Sequence, residues 1–99
     1  MSLPVILHEA AELEAVEAIT WYENEAGLGA AIREEIEATI ERIIATPLAF
    51  PVIYGSAIRS SQTHRFPYSV IFTIDENQIF VVAIFHTSRN PLIWKGRID

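Results

Sequence analysis

Tyr68-Ser69-Val70-Ile71-Phe72-Thr73-Ile74-Asp75-Glu76-Asn77-Gln78-Ile79-Phe80-Val81-Val82-Ala83-Ile84-Phe85-His86 is the stretch from which the fold is read. Tyr68, Val70, Phe72 and Ile74 alternate with Ser69, Ile71 and Thr73, the period of a strand with one face in a core. Asp75-Glu76-Asn77-Gln78 supplies turn residues. Ile79 to Phe85 is apolar at every position, as in a strand covered on both faces. The stretch predicts an antiparallel hairpin whose second strand is central. A loop with an even number of residues sets Ile74 opposite Ile79 and Thr73 opposite Phe80. Counting back, Tyr68, Val70 and Phe72 meet Phe85, Ala83 and Val81, while the Arg65, Ser69, Ile71 side meets Val82, Ile84 and His86. The first face is richer in large apolar groups and is expected to cover helices. Arg65 and His86 are then expected to share the more open face, unless a one-residue bulge intervenes.

Upstream, a short strand is expected around Ala57–Ser61. Leu48 to Gly55, preceded by Pro47 and containing Pro51, reads as an irregular connection. Before it lie two helical patterns. Leu28, Ile32, Ile36, Ile40 and Ile43 form one apolar stripe, ended by Pro47. Leu13, Val16, Ile19 and Tyr22 form the other, with glutamates crowding its first turns, where the helix dipole favours negative charge. Gly27 falls where a left-handed C-terminal cap is expected, and Gly29 reinforces the turn. Gly27-Leu28-Gly29 is read as a helix–helix turn and not as a phosphate loop, because Ile32 stands at the third glycine position. Leu3 to Leu7 is a first strand. The order is β-α-α-β-β-β: an α+β fold, with a helical hairpin packed on a small, mainly antiparallel sheet, in one domain over residues 1–99.

The composition narrows the function. About half of the 99 residues are apolar and a fifth charged, which excludes disorder. The absence of cysteine removes disulfide, thiolate and cysteine–zinc chemistry, and is consistent with a cytoplasmic protein. No apolar run approaches the roughly 20 residues of a membrane helix, so no membrane partner is expected. No secretory signal is read at the N-terminus, and no function is placed on Met1-Ser2-Leu3. The net charge of −6 is unevenly spread. Residues 1–50 carry ten glutamates against Arg33 and Arg42, whereas residues 51–99 carry Arg59, Arg65, Arg89, Lys95 and Arg97 against Asp75, Glu76 and Asp99. A two-faced molecule follows, or else acidic helices that are simply well solvated.

Arg65 can bind an anion through two N–H groups, and His86 can exchange a proton near neutral pH, with Arg89 three residues on. These three are the catalytic candidates if the chain is a nuclease; the plain alternative is two surface charges and a strand-end histidine. No histidine–carboxylate spacing suits a metal, and no cofactor is expected.

The segment Arg59-Ser60-Ser61, with Arg65-Phe66-Pro67-Tyr68-Ser69-Val70-Ile71-Phe72, resembles the second hairpin of RelE/ParE toxins. So does Phe85-His86-Thr87-Ser88-Arg89-Asn90-Pro91, followed by Trp94 and Arg97. Trp21-Tyr22-Glu23 and Gly27-Leu28-Gly29 are similar to the helical hairpin of the plasmid-stabilisation members. The resemblance spans nearly the whole chain. It implies the toxin of a bacterial type II toxin–antitoxin pair, neutralised by a cognate antitoxin. RelE-like members cut messenger RNA on the ribosome, whereas ParE-like members act on DNA gyrase without hydrolytic chemistry. Positions that carry lysines in the nucleases hold Gly55 and Ala57 here, and Trp94 and Thr87 stand near where some nucleases have a tyrosine. A ParE-like toxin ranks first, a RelE-like endoribonuclease second, and a non-toxic antitoxin-binding module third. Antitoxin or target binding is expected on Arg59, Arg65, Arg89, Trp94, Lys95 and Arg97, with Trp21 and Trp94 as exposed aromatic anchors. A homodimer is left open.

Overall fold

The hairpin closes on Glu76 and Asn77, whose φ values of 45° and 67° give the paired left-handed backbone of a primed two-residue turn. It joins β4 (Tyr68–Asp75) to β5 (Gln78–His86) with Ile74 opposite Ile79 and Thr73 opposite Phe80, as expected. The chain is described here by a computed structural model over residues 2–98. Before the hairpin come β1 (Val5–Leu7), α1 (Glu9–Ala26), α2 (Gly29–Ala45), a 3₁₀ turn at Pro47–Ala49, β2 (Val52–Tyr54) and β3 (Ile58–Gln62). A short helix, α3 (Leu92–Lys95), follows it. The sheet has the order β1-β5-β4-β3-β2, with β1 parallel to β5 and the other pairs antiparallel. This is the expected α+β architecture, with β5 inside the sheet. Two elements went unread in the sequence. β2 lies in the stretch taken as irregular, and α3 is too short to show a helical period.

Gly27 ends α1 at φ 67°, ψ 25°, and its N–H donates back to the Glu23 carbonyl. The two helices then approach closely. A Cβ on Gly29 would stand 2.9 Å from Glu23 Cβ and 3.1 Å from the Ile19 carbonyl oxygen. On α2 the predicted stripe holds: Ile32, Ile36 and Ile43 are buried against Val70, Phe72, Ile79, Val81 and Ile84, with Leu28 and Ile40 at the margin. Each such side chain contributes roughly 1.5–3 kcal/mol of burial.

The face of α1 differs from the expected one. Leu13 and Val16 are more than half exposed, and Ala11, Glu14 and Ala18 are buried instead. Small alanines let the helix approach β5 closely, and apolar periodicity alone could not distinguish that contact from the bulkier stripe beside it. The opposite face of the sheet is not open either. Ile58, Ile71, Val82, Ala83, Phe85 and Trp94 form a second cluster there, closed by α3. Among the described residues no helix is long and apolar enough to cross a membrane.

Candidate functional site

The expected pairing of Arg65 with His86 on one face is overturned by a bulge. From the turn the ladder runs regularly to Phe72 opposite Val81, but Ile71 then pairs with Ala83, leaving Val82 as the extra residue. Val82 and Ala83 both belong to the second cluster, and every residue beyond them changes side. Val70 therefore faces Ile84 and Tyr68 faces His86. His86 comes to lie on the helical side, its ring edge-on to Tyr68 at 5.2 Å between centroids. Seven consecutive apolar residues hide the insertion, because either parity satisfies a strand buried on both faces. Arg65 sits instead on the turn between β3 and β4, its guanidinium 5.1 Å from the centre of the Phe66 ring. That turn is fixed by a carboxylate of α2. Glu35 accepts the N–H groups of His64 at 2.6 Å and Arg65 at 3.2 Å, and the His64 bond chiefly holds its pKa below the ordinary value.

Beyond Leu7 no strand among the described residues covers that edge of β5. The His8 N–H reaches the Val81 carbonyl at 2.8 Å, and from there side chains take over. Glu14 Oε1 accepts the Ile84 N–H at 3.1 Å, and Arg97 Nη1 donates to the Val82 carbonyl at 3.0 Å. These two side chains also pair with each other through both oxygens, at 2.9 and 2.7 Å. Arg89 adds a third cationic contact to Glu14 Oε2, at 3.1 Å. Glu14 is thus a buried carboxylate whose partners satisfy both oxygens, as burial of a charge requires. Its hydrogen bonds hold the Arg97 pKa above its already high ordinary value. Nothing in the sequence marked Glu14 among ten glutamates of the N-terminal half; only the position of the β5 edge does so.

Next to this cluster, α1 and the end of the β4–β5 hairpin enclose a cleft of about 300 Å³, lined by Glu14, Glu17, Ala18, Trp21, Tyr68, Ile84, His86 and Arg89. Tyr22 and Ser88 line its continuation. Trp21 is 57% exposed, as the sequence reading expected. The Ser88 N–H and hydroxyl lie 3.1 and 2.8 Å from His86 Nδ1. Burial pushes the Tyr68 phenol above its ordinary pKa. A row of ring contacts links Trp21, Tyr22 and Phe66, with Tyr22 also touching Tyr68.

The remaining candidates are scattered. Arg59 donates to the Phe50 carbonyl at 2.6 Å and more weakly to that of Leu48, so it ties down the connection before β2. Lys95 stands 4.8 Å over the Tyr54 ring and 5.8 Å from that of Trp94. Trp94, expected as an exposed anchor, is 4% exposed and belongs to the second core cluster. Arg97 is drawn into the Glu14 pair, its side chain 13% exposed. Of the cationic set, Arg65 and Arg89 are exposed.

A helical hairpin on a five-stranded mixed sheet, with a cation-edged aromatic cleft at one end, defines a small α+β protein. The family described as the ParE toxin of type II toxin–antitoxin systems, parDE, matches residues 5–91, and the chain belongs to it. It is accordingly the toxin component of such a system. Among solved structures it is similar to a chain described as the chromosomal ParDE toxin–antitoxin system from P. aeruginosa. The TM-score is 0.73 at 13% identity, covering 87% of this chain and 97% of that one. No curated protein matches it in sequence.

Proposed function

We propose that this single-domain toxin acts in the cytoplasm by binding DNA gyrase, without cutting nucleic acid, and that a cognate antitoxin neutralises it. The observation that carries the reading is the dispersal of the cationic groups. Cleavage of RNA through its own 2′-hydroxyl needs a base, cations for the phosphorane and an acid around a single phosphate. Arg59 is spent on two loop carbonyls, Arg65 stands on the β3–β4 turn, and His86 and Arg89 lie at the cleft. Gly55 and Ala57 offer no side-chain nitrogen at all. Loss of even one transition-state donor costs about 10²–10³ in rate, so this arrangement suits a binder better than a nuclease. The acidic body also disfavours entry among ribosomal phosphates.

The test pairs a gyrase supercoiling assay on purified protein with primer extension on translated messenger RNA after induction. Inhibited supercoiling with intact transcripts is the expected result. Codon-positioned cuts that disappear in Arg65→Ala would replace this reading with the endoribonuclease one.

A further inference from the structure

The cleft beside α1 is rich in hydrogen-bond donors without acceptors. Among the described residues the Trp21 indole N–H, the Tyr68 hydroxyl and His86 Nε2 have no protein hydrogen-bond partner, although their rings pack on neighbouring rings. Because Nδ1 accepts the Ser88 N–H, the ring proton lies on Nε2, so that atom is a donor. Arg89 adds a guanidinium on a side chain that is 44% exposed, and only its Nη1 touches Glu14. The one buried carboxylate at the cleft, Glu14, already serves Arg89, Arg97 and the Ile84 N–H, so it cannot satisfy these donors. Aromatic rings and Ala18 and Ile84 supply the walls.

We propose that this cleft, framed by Trp21, Tyr68, His86 and Arg89, is the docking pocket for an apolar segment of the antitoxin that carries a carboxylate. The proposal rests on the reading of an antitoxin partner and names where and by what chemistry it is held. The donors require an acceptor-bearing ligand, and a carboxylate takes them with charge assistance from Arg89. The walls require apolar surface beside that carboxylate, and an exposed tryptophan is the side chain most often found as an interface anchor. A polyphosphate chain fits poorly. Glu17 lies at the rim, and the same helix carries Glu9, Glu12, Glu23 and Glu25. One carboxylate among apolar groups meets the donors without extending along that acidic surface.

The experiment titrates wild-type toxin, Trp21→Ala and Tyr68→Phe with the purified product of the adjacent gene, and separately with a single-stranded RNA oligonucleotide. Tryptophan emission and calorimetry provide the readouts, and circular dichroism confirms that each variant is folded. Trp21 is exposed and Tyr68→Phe keeps the ring, so at least one variant retains the fold. Expected are a blue shift of the wild-type emission as Trp21 is covered and about a tenfold or greater loss of affinity in Trp21→Ala. A several-fold loss is expected in Tyr68→Phe. Tight binding of the gene product, unchanged in both variants and without an emission shift, overturns the pocket and leaves the antitoxin reading intact. Absence of binding by the wild type overturns both. An emission shift produced by the RNA and not by the protein also overturns the proposal, in favour of a nucleic-acid site.

Discussion

Glu14 and Arg97 lie 83 positions apart and meet through two parallel contacts of 2.9 and 2.7 Å. Together they replace the strand that β5 lacks beyond β1, Glu14 accepting from the Ile84 N–H and Arg97 donating to the Val82 carbonyl. Both are largely buried, and loss of one partner leaves the other charge unpaired. Glu14→Ala should therefore cost about 3 kcal/mol of stability. The double change Glu14→Leu with Arg97→Met should recover much of that loss. Urea unfolding measures both, and an unchanged midpoint in Glu14→Ala would mean that the clamp contributes nothing.

Glu35 gives the stability curve an acid-side feature. Its pKa is lowered by the His64 N–H first, so the folded state favours the carboxylate. A depressed folded value contributes stability that is present above the ordinary value of 4.5 and is lost as pH falls through the lowered one. The gap between wild type and Glu35→Gln should be constant near neutrality and should close below pH 4.5. Unfolding midpoints taken from pH 7 down to pH 3 decide it; a gap that persists at the acid end contradicts the account.

The α2 stripe offers a graded test of packing. Ile32 is fully buried and Ile36 nearly so, both against the helical face of the sheet. Ile32→Ala should lose about 3 kcal/mol, and Ile36→Asp, which puts a charge into the same contact, should not fold. Thermal melts that match wild type in both would require a different helix face.

Arg65 and Arg89 are the exposed members of the cationic set, Arg65 on the β3–β4 turn and Arg89 at the cleft. Replacing both with alanine should slow association with the antitoxin and flatten its dependence on salt, and the loss of Arg89 from the pocket should also speed dissociation. Stopped-flow mixing at two ionic strengths measures this. Equal association rates and salt slopes would mean that neither arginine steers the encounter.

The β4–β5 hairpin, the helical hairpin and the α2 core face were legible because each rests on local signals: a strand period, a capping glycine, a stripe of isoleucines. The site was less so. Which way His86 points depends on one inserted residue, Val82, in a run where every position is apolar. Trp94 could not be seen as buried, because α3 is a single turn whose docking depends on the second cluster. Glu14 acquires its role from an edge left uncovered by a strand only three residues long. All three depend on contacts distant in sequence, which periodicity does not record.

The parallel pairing of β1 with β5 has a consequence for synthesis. Residues 5–7 emerge early, yet their partners at 79–81 are among the later ones to be made, and the Glu14 carboxylate waits longer still for Arg97. Every long-range pairing of β5 is thus deferred until most of the chain exists. Nascent chains that stop short of β5 lack the strand that α1 packs on and that β1 pairs with, so the ribosome should release an intact toxin or an inert fragment, with no active intermediate between them.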